Sequence, residues 1–77
     1  MAEESPRILS YQAARDRIVN LLKERGPLTT REIVELSRRD RVQCPDGPVK
    51  FLVRLRAEDV IKGEVSMIHK GWVWWIE

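Results

Sequence analysis

Between residues 38 and 56 the chain carries Arg38, Arg39, Arg41, Lys50, Arg54 and Arg56 against only Asp40 and Asp46. Residues 1–37 balance their charges, and residues 57–77 are mildly acidic, so a net charge of +2 conceals a basic middle third. Most of the cations are arginines, whose planar fork matches phosphate oxygens and guanine edges, whereas lysine acts as a point charge. Lys50 and Arg54 stand four residues apart and therefore share one face of a helix. Arg38, Arg39 and Arg41 form a second cluster, and Lys70 stands between His69 and Gly71. These groups can bind an anion. Catalysis is not expected, because the sequence has no Gly-rich phosphate loop, no nucleophile with a histidine nearby and no acidic pair at metal-ligand spacing. Each cation also has a plain structural reading. The Lys50/Arg54 stripe can be a solvated helix face, and the Arg38–Arg41 run can complement the negative end of a helix dipole. His69 and Gly71 need nothing more than a turn.

With 77 residues the chain has room for one domain, whose thin core buries about 60–65% of the unfolded surface. That leaves little room for a small-molecule pocket, and no substrate or cofactor is expected. The longest apolar run, Trp72–Ile76, is far short of the roughly 18 residues of a membrane span. The polar start MAEESPR is no secretory signal, so a cytoplasmic protein is expected. Cys44 is the one cysteine; no internal disulfide is possible, and His69 alone cannot complete a zinc set with it.

Three helices and a hairpin must position the cations. Residues 1–8 read as a flexible tail and residues 9–77 as the domain. A first helix opens after Ser10, a capping residue, with Tyr11, Ala14, Ile18, Leu21 and Leu22 at helical spacing, and Gly26-Pro27 stops it. Thr29 and Glu32 have the spacing of a capping box, flanked by Leu28 and Ile33 as a hydrophobic staple, so a second helix begins there. It turns Ile33 and Leu36 inward and frays by the Arg38–Arg41 run. The turn formers from Cys44 to Pro48 separate it from a third helix with Phe51, Leu52 and Leu55 inward. On that helix Val49 and Val53 fall on a further face, for which deeper packing is expected, with an exposed partner strip as the alternative. After Asp59 the period becomes that of strands: Val60 to Ile68, a short turn at His69–Gly71, and Trp72 to Ile76 make a hairpin. Trp72 and Trp74 are expected to close the core, leaving Trp75 on the opposite face.

This order, with L-T-T-R-E-I opening the second helix and Leu55-Arg56-Ala57-Glu58-Asp59-Val60-Ile61 leading into the hairpin, resembles the winged helix-turn-helix superfamily over residues 9–77. It is most similar to the small stand-alone winged-helix proteins common in archaea. The resemblance implies an α+β fold in which the third helix reads double-stranded DNA and the hairpin is a wing. Lys50 and Arg54 would then enter the major groove, while Lys70 and the Arg38, Arg39, Arg41 cluster would touch phosphates. A homodimeric transcriptional regulator is the implied function. Two departures stand out. Asp59 replaces the usual glycine before the first wing strand, and the connection from Arg39 to Gly47 exceeds the three or four residues of a compact helix-turn-helix. The alternative function is a protein-interaction module in which Val49, Val53 and Trp75 form an apolar patch. Structured RNA is a third candidate ligand.

Overall fold

The computed structural model describes residues 7–77. Ser10 is extended and its hydroxyl accepts the Ala13 amide, which starts α1 (Tyr11–Arg25). Ala14, Ile18 and Leu22 recur every fourth residue as its buried stripe. Gly26, at φ 78°, donates its amide to the Leu22 carbonyl and ends the helix. Thr29 then starts α2 (Thr30–Arg39) through both halves of a capping box. Its hydroxyl accepts the Glu32 amide at 3.1 Å, and the Glu32 carboxylate accepts the Thr29 amide at 3.0 Å.

Leu28–Thr29 is also a strand, β2, which the sequence did not announce. It pairs antiparallel with the last strand of the chain, placing Leu28 opposite Trp74 and Thr29 opposite Val73. That last strand runs Gly71–Trp75 and pairs on its other edge with Lys62–Ser66. A second pairing involves the long connection between the second and third helices. Arg41 turns into the left-handed region at φ 56°, and Val42–Gln43, β3, lies parallel to β1 (Arg7–Ile8). The Arg7 and Leu9 amides donate to the Arg41 and Gln43 carbonyls at 3.0 and 2.9 Å. The tail expected over residues 1–8 is thereby corrected at its end, since Arg7 and Ile8 are paired backbone; residues 1–6 lie outside the described residues.

The third helix, α3 (Pro48–Ala57), opens with proline in its first turn after Gly47 at φ 88°. Phe51, Leu52 and Leu55 face inward as expected. Val49 and Val53 do not: they remain 49% and 40% exposed, which corrects the expectation of deeper packing. No element among the described residues covers the part of the helix surface that they occupy, so the packed arc is narrower than its apolar content suggests. Asp59 takes φ 61°, the left-handed conformation that a glycine would otherwise supply. It is followed by β4 (Lys62–Ser66) and β5 (Gly71–Trp75), so the antiparallel sheet has the order β2–β5–β4. The hairpin turns earlier than expected. Met67 and Ile68 belong to the turn, not to a strand, and are 90% and 88% exposed.

The described residues form a small α+β domain of three helices and a three-stranded antiparallel sheet, with a short parallel pair beside it. Its core joins Ala14, Ile18, Ile33, Phe51, Leu52 and Leu55 of the helices to Leu28, Ile61 and Trp74 of the sheet side. Trp74 is fully buried, and its indole donates to the Thr30 hydroxyl at 2.8 Å, tying the sheet to the first turn of α2. Trp72 is half-buried and stacks on Trp74, with centroids 4.9 Å apart and rings inclined by 11°. Among the described residues no helix is long and apolar enough to cross a membrane, and no three metal-binding side chains converge.

Candidate nucleic-acid interface

The inward set of α3 dictates what the rest of the helix can do. With Phe51, Leu52 and Leu55 against the core, the spacing of 3.6 residues per turn puts Lys50, Val53 and Ala57 farthest from it. All three are exposed. Lys50 has no carboxylate partner among the described residues, and it occupies the first turn of the helix, where no side chain caps the amides. Val49 and Val53 lie to one side of it, so the outer face combines aliphatic surface with a cation that forms no ion pair among the described residues.

Arg54 is drawn to one side of that face. Its guanidinium lies 4.5 Å from the centroid of the Tyr11 ring and its Nε is 3.6 Å from Glu58. The Tyr11 hydroxyl donates to the same carboxylate, and this hydrogen bond, assisted by desolvation, holds the phenol above its usual pKa. Tyr11 also meets Phe51 edge to face at 5.7 Å. Arg54 thus has a structural occupation, joining the start of α1 to the end of α3, and it shares only part of its charge with the outer face.

Arg56 performs the corresponding task on the opposite flank. Its Nε donates to the Gly63 carbonyl at 2.9 Å, and its guanidinium lies 5.4 Å from the Trp72 centroid. These two contacts fix the hairpin against the helix. Replacing Arg56 by alanine is expected to cost about 1–2 kcal/mol in urea denaturation, from a charge-assisted hydrogen bond and a partly exposed cation–π contact. Lysine should recover little of this loss, because an ammonium cannot make a bond from Nε and lie flat over an indole as a guanidinium does. Full recovery by lysine would show that only the charge matters.

The other candidate cations divide into two places. Arg38 shares a cleft of about 480 Å³ with Gly47 and Pro48 at the start of α3, which brings it to the end of the helix that carries Lys50. It forms a loose, exposed ion pair with Glu35 at 3.5 Å. Arg39 closes α2, and Arg41 sits where the chain turns into β3; both are exposed and form no ion pair among the described residues. Asp40 between them is engaged by Arg17, which donates to its carboxylate at 2.8 Å and to the Leu36 carbonyl at 3.2 Å. The one acid inside the cluster is therefore partly neutralised from α1. Lys70 is at the apex of the β4–β5 hairpin, exposed, with φ 55°.

Cys44 lines the same cleft, but as a buried side chain. Burial pushes its thiol pKa up despite the nearby Arg17 charge, as expected of a packing residue and not of a nucleophile. Trp75, opposite Lys62, is half-buried on the sheet face away from Trp74. The sequence signals missed here are Gly63 and Arg56: a glycine four residues after Asp59 and an arginine in the last turn of α3 were the only marks of the joint that orients the hairpin. Comparison of the chain with protein-family models, with curated proteins and with solved structures finds no match in any of the three.

Proposed function

We propose that this is a winged-helix protein that binds double-stranded DNA and acts as a transcriptional regulator. The observation that carries this reading is the exposed outer face of α3, where Lys50 forms no ion pair among the described residues and Arg38 lies at the same helix end, in an α+β chain whose element order is compatible with a winged helix. The β4–β5 pair is compatible with it, because a wing requires a hairpin after the third helix. Lys50 would contact a guanine edge or a phosphate, and the neighbouring Val49 and Val53 would meet thymine methyl groups, which direct readout uses as apolar landmarks. Arg38, Arg39, Arg41 and Lys70 would make phosphate contacts, which fix register and orientation. Arg54 takes a smaller part than its spacing implied, because Tyr11 and Glu58 engage it.

Fluorescence anisotropy of a labelled duplex, titrated from low to moderate salt, tests the reading. With four to six phosphates neutralised, log affinity should fall against log salt with a slope of about −3.6 to −5.4. Lys50→Ala should reduce that slope by about 0.9 and weaken binding to all sequences or, if it reads guanine, to one more than others. A flat salt response, or no binding at low salt, would overturn the assignment.

The exposure of Val49 and Val53 also favours a second reading, in which the same face binds a protein. In that case Val53→Asp abolishes association detected by sedimentation while DNA titrations remain blank.

A further inference from the structure

The apex of the hairpin is the most exposed apolar feature among the described residues. Met67 and Ile68 stand there side by side, 90% and 88% exposed, and Val65 of β4 is also solvent-facing. Aliphatic side chains this exposed at the turn of a hairpin add little to packing among the described residues. Their surroundings are selective in charge. From Val65 to Ile76 the only formally charged side chain is Lys70, beside His69, and no acid occurs. Glu64, the nearest carboxylate along the chain, lies opposite Val73 and so on the other face of the hairpin from Val65 and Trp72. Two large aliphatics with a cation at their side fit an anion-rimmed surface with planar apolar faces that can be parted. The minor groove of DNA offers this, with phosphates along its edges and base steps between which apolar side chains can be inserted.

Resting on the DNA-binding reading above, we propose that Met67 and Ile68 form an apolar wedge that enters the minor groove and opens a base step, so that the protein bends its target and selects flexible sequence. The Arg56 bond to Gly63 and its contact with Trp72 give the wedge a firm base, since they tie the strand leading to the apex to α3. Lys70, one turn residue beyond His69, neutralises a phosphate beside the opened step. The cost of unstacking is lowest at pyrimidine–purine steps such as TA, so selectivity would arise at a position read by deformability and not by hydrogen bonds. A membrane surface fits the same chemistry less well. A single myristoyl chain, longer than both side chains together, gives only marginal and reversible attachment.

The experiment uses the full chain and a duplex with a central TA step, labelled at its ends for energy transfer, with 2-aminopurine at the step. Binding of the natural sequence should shorten the end-to-end distance and raise 2-aminopurine fluorescence. The double variant Met67→Ser/Ile68→Ser should bind about tenfold more weakly, with an unchanged salt slope, an unbent duplex and a quenched probe. Both substituted positions are exposed, so an unchanged thermal melt is expected to accompany the loss. The wedge is overturned if the double variant bends the duplex as well as the natural sequence does, or if the natural sequence binds without bending; DNA binding itself then stands. If the natural sequence binds no duplex at low salt, both readings fail. Flotation with anionic phosphatidylserine vesicles that depends on Met67 and Ile68, in the absence of bending, assigns the apex to lipid and likewise overturns the wedge.

Discussion

Gly63→Ala is expected to destabilise the domain by about 3 kcal/mol, at the upper end of the range for overpacking a core. A Cβ placed on Gly63 would stand 2.3 Å from Cε3 and 2.5 Å from Cζ3 of the Trp74 ring, far inside van der Waals contact. Relief would require that ring to move, yet Trp74 is fully buried, hydrogen-bonded to Thr30 and stacked on Trp72. The backbone of Gly63 is equally constrained, because its carbonyl accepts the Arg56 bond and its strand pairs with β5. In a chain this size, with roughly 4–12 kcal/mol of total stability, the change should lower the melting temperature by about 12–24 °C. Thermal denaturation followed by circular dichroism checks it, and a shift below a few degrees would mean that strand and ring separate easily.

Trp74→Ala should cost more, about 3–5 kcal/mol for a large aromatic removed from a core that cannot collapse around the space. It also removes the indole donor to Thr30, loosening the seam between the sheet and α2. Urea denaturation is the appropriate measurement, with near-complete unfolding in dilute buffer as the result for a domain at the lower end of the stability range. The two substitutions share one contact and should not be additive. A Gly63→Ala/Trp74→Leu double variant should be more stable than the sum of its parts by about 1 kcal/mol or more, because the smaller side chain vacates the space that the new methyl needs.

Legibility from the sequence followed the range of the interactions concerned. The caps at Ser10 and at Thr29/Glu32 were readable because each depends on residues within a few positions of itself, whereas the place of Asp59 came from the family resemblance. The inward faces of the helices followed from periodicity. The two-residue strands β1, β2 and β3 have no period to detect, and their existence depends on partners more than thirty residues away. Periodicity likewise shows which residues of α3 share a face but not how wide an arc its neighbours cover, which is why Val49 and Val53 were expected inside. Met67 and Ile68 resembled strand residues by type, whereas the pairing of Ser66 with Gly71 places the turn between those two positions. Lys50 is exposed on the outer face of α3, as its spacing from Phe51, Leu52 and Leu55 implied, and Arg39, Arg41 and Lys70 are exposed as well. The engagement of Arg54 by Tyr11 and Glu58 had no local signal, because Tyr11 and Glu58 are 47 residues apart.

The parallel ladder of β1 and β3 couples two places that are otherwise unrelated. The segment ahead of α1 is zipped to the loop that precedes α3, through the Arg7 and Leu9 amides, so that loop is held by a strap from outside the helical pair it connects. A ligand able to reshape the loop must first peel the strap away. Conversely, any event that unzips the amino-terminal strap loosens the loop bearing Arg41.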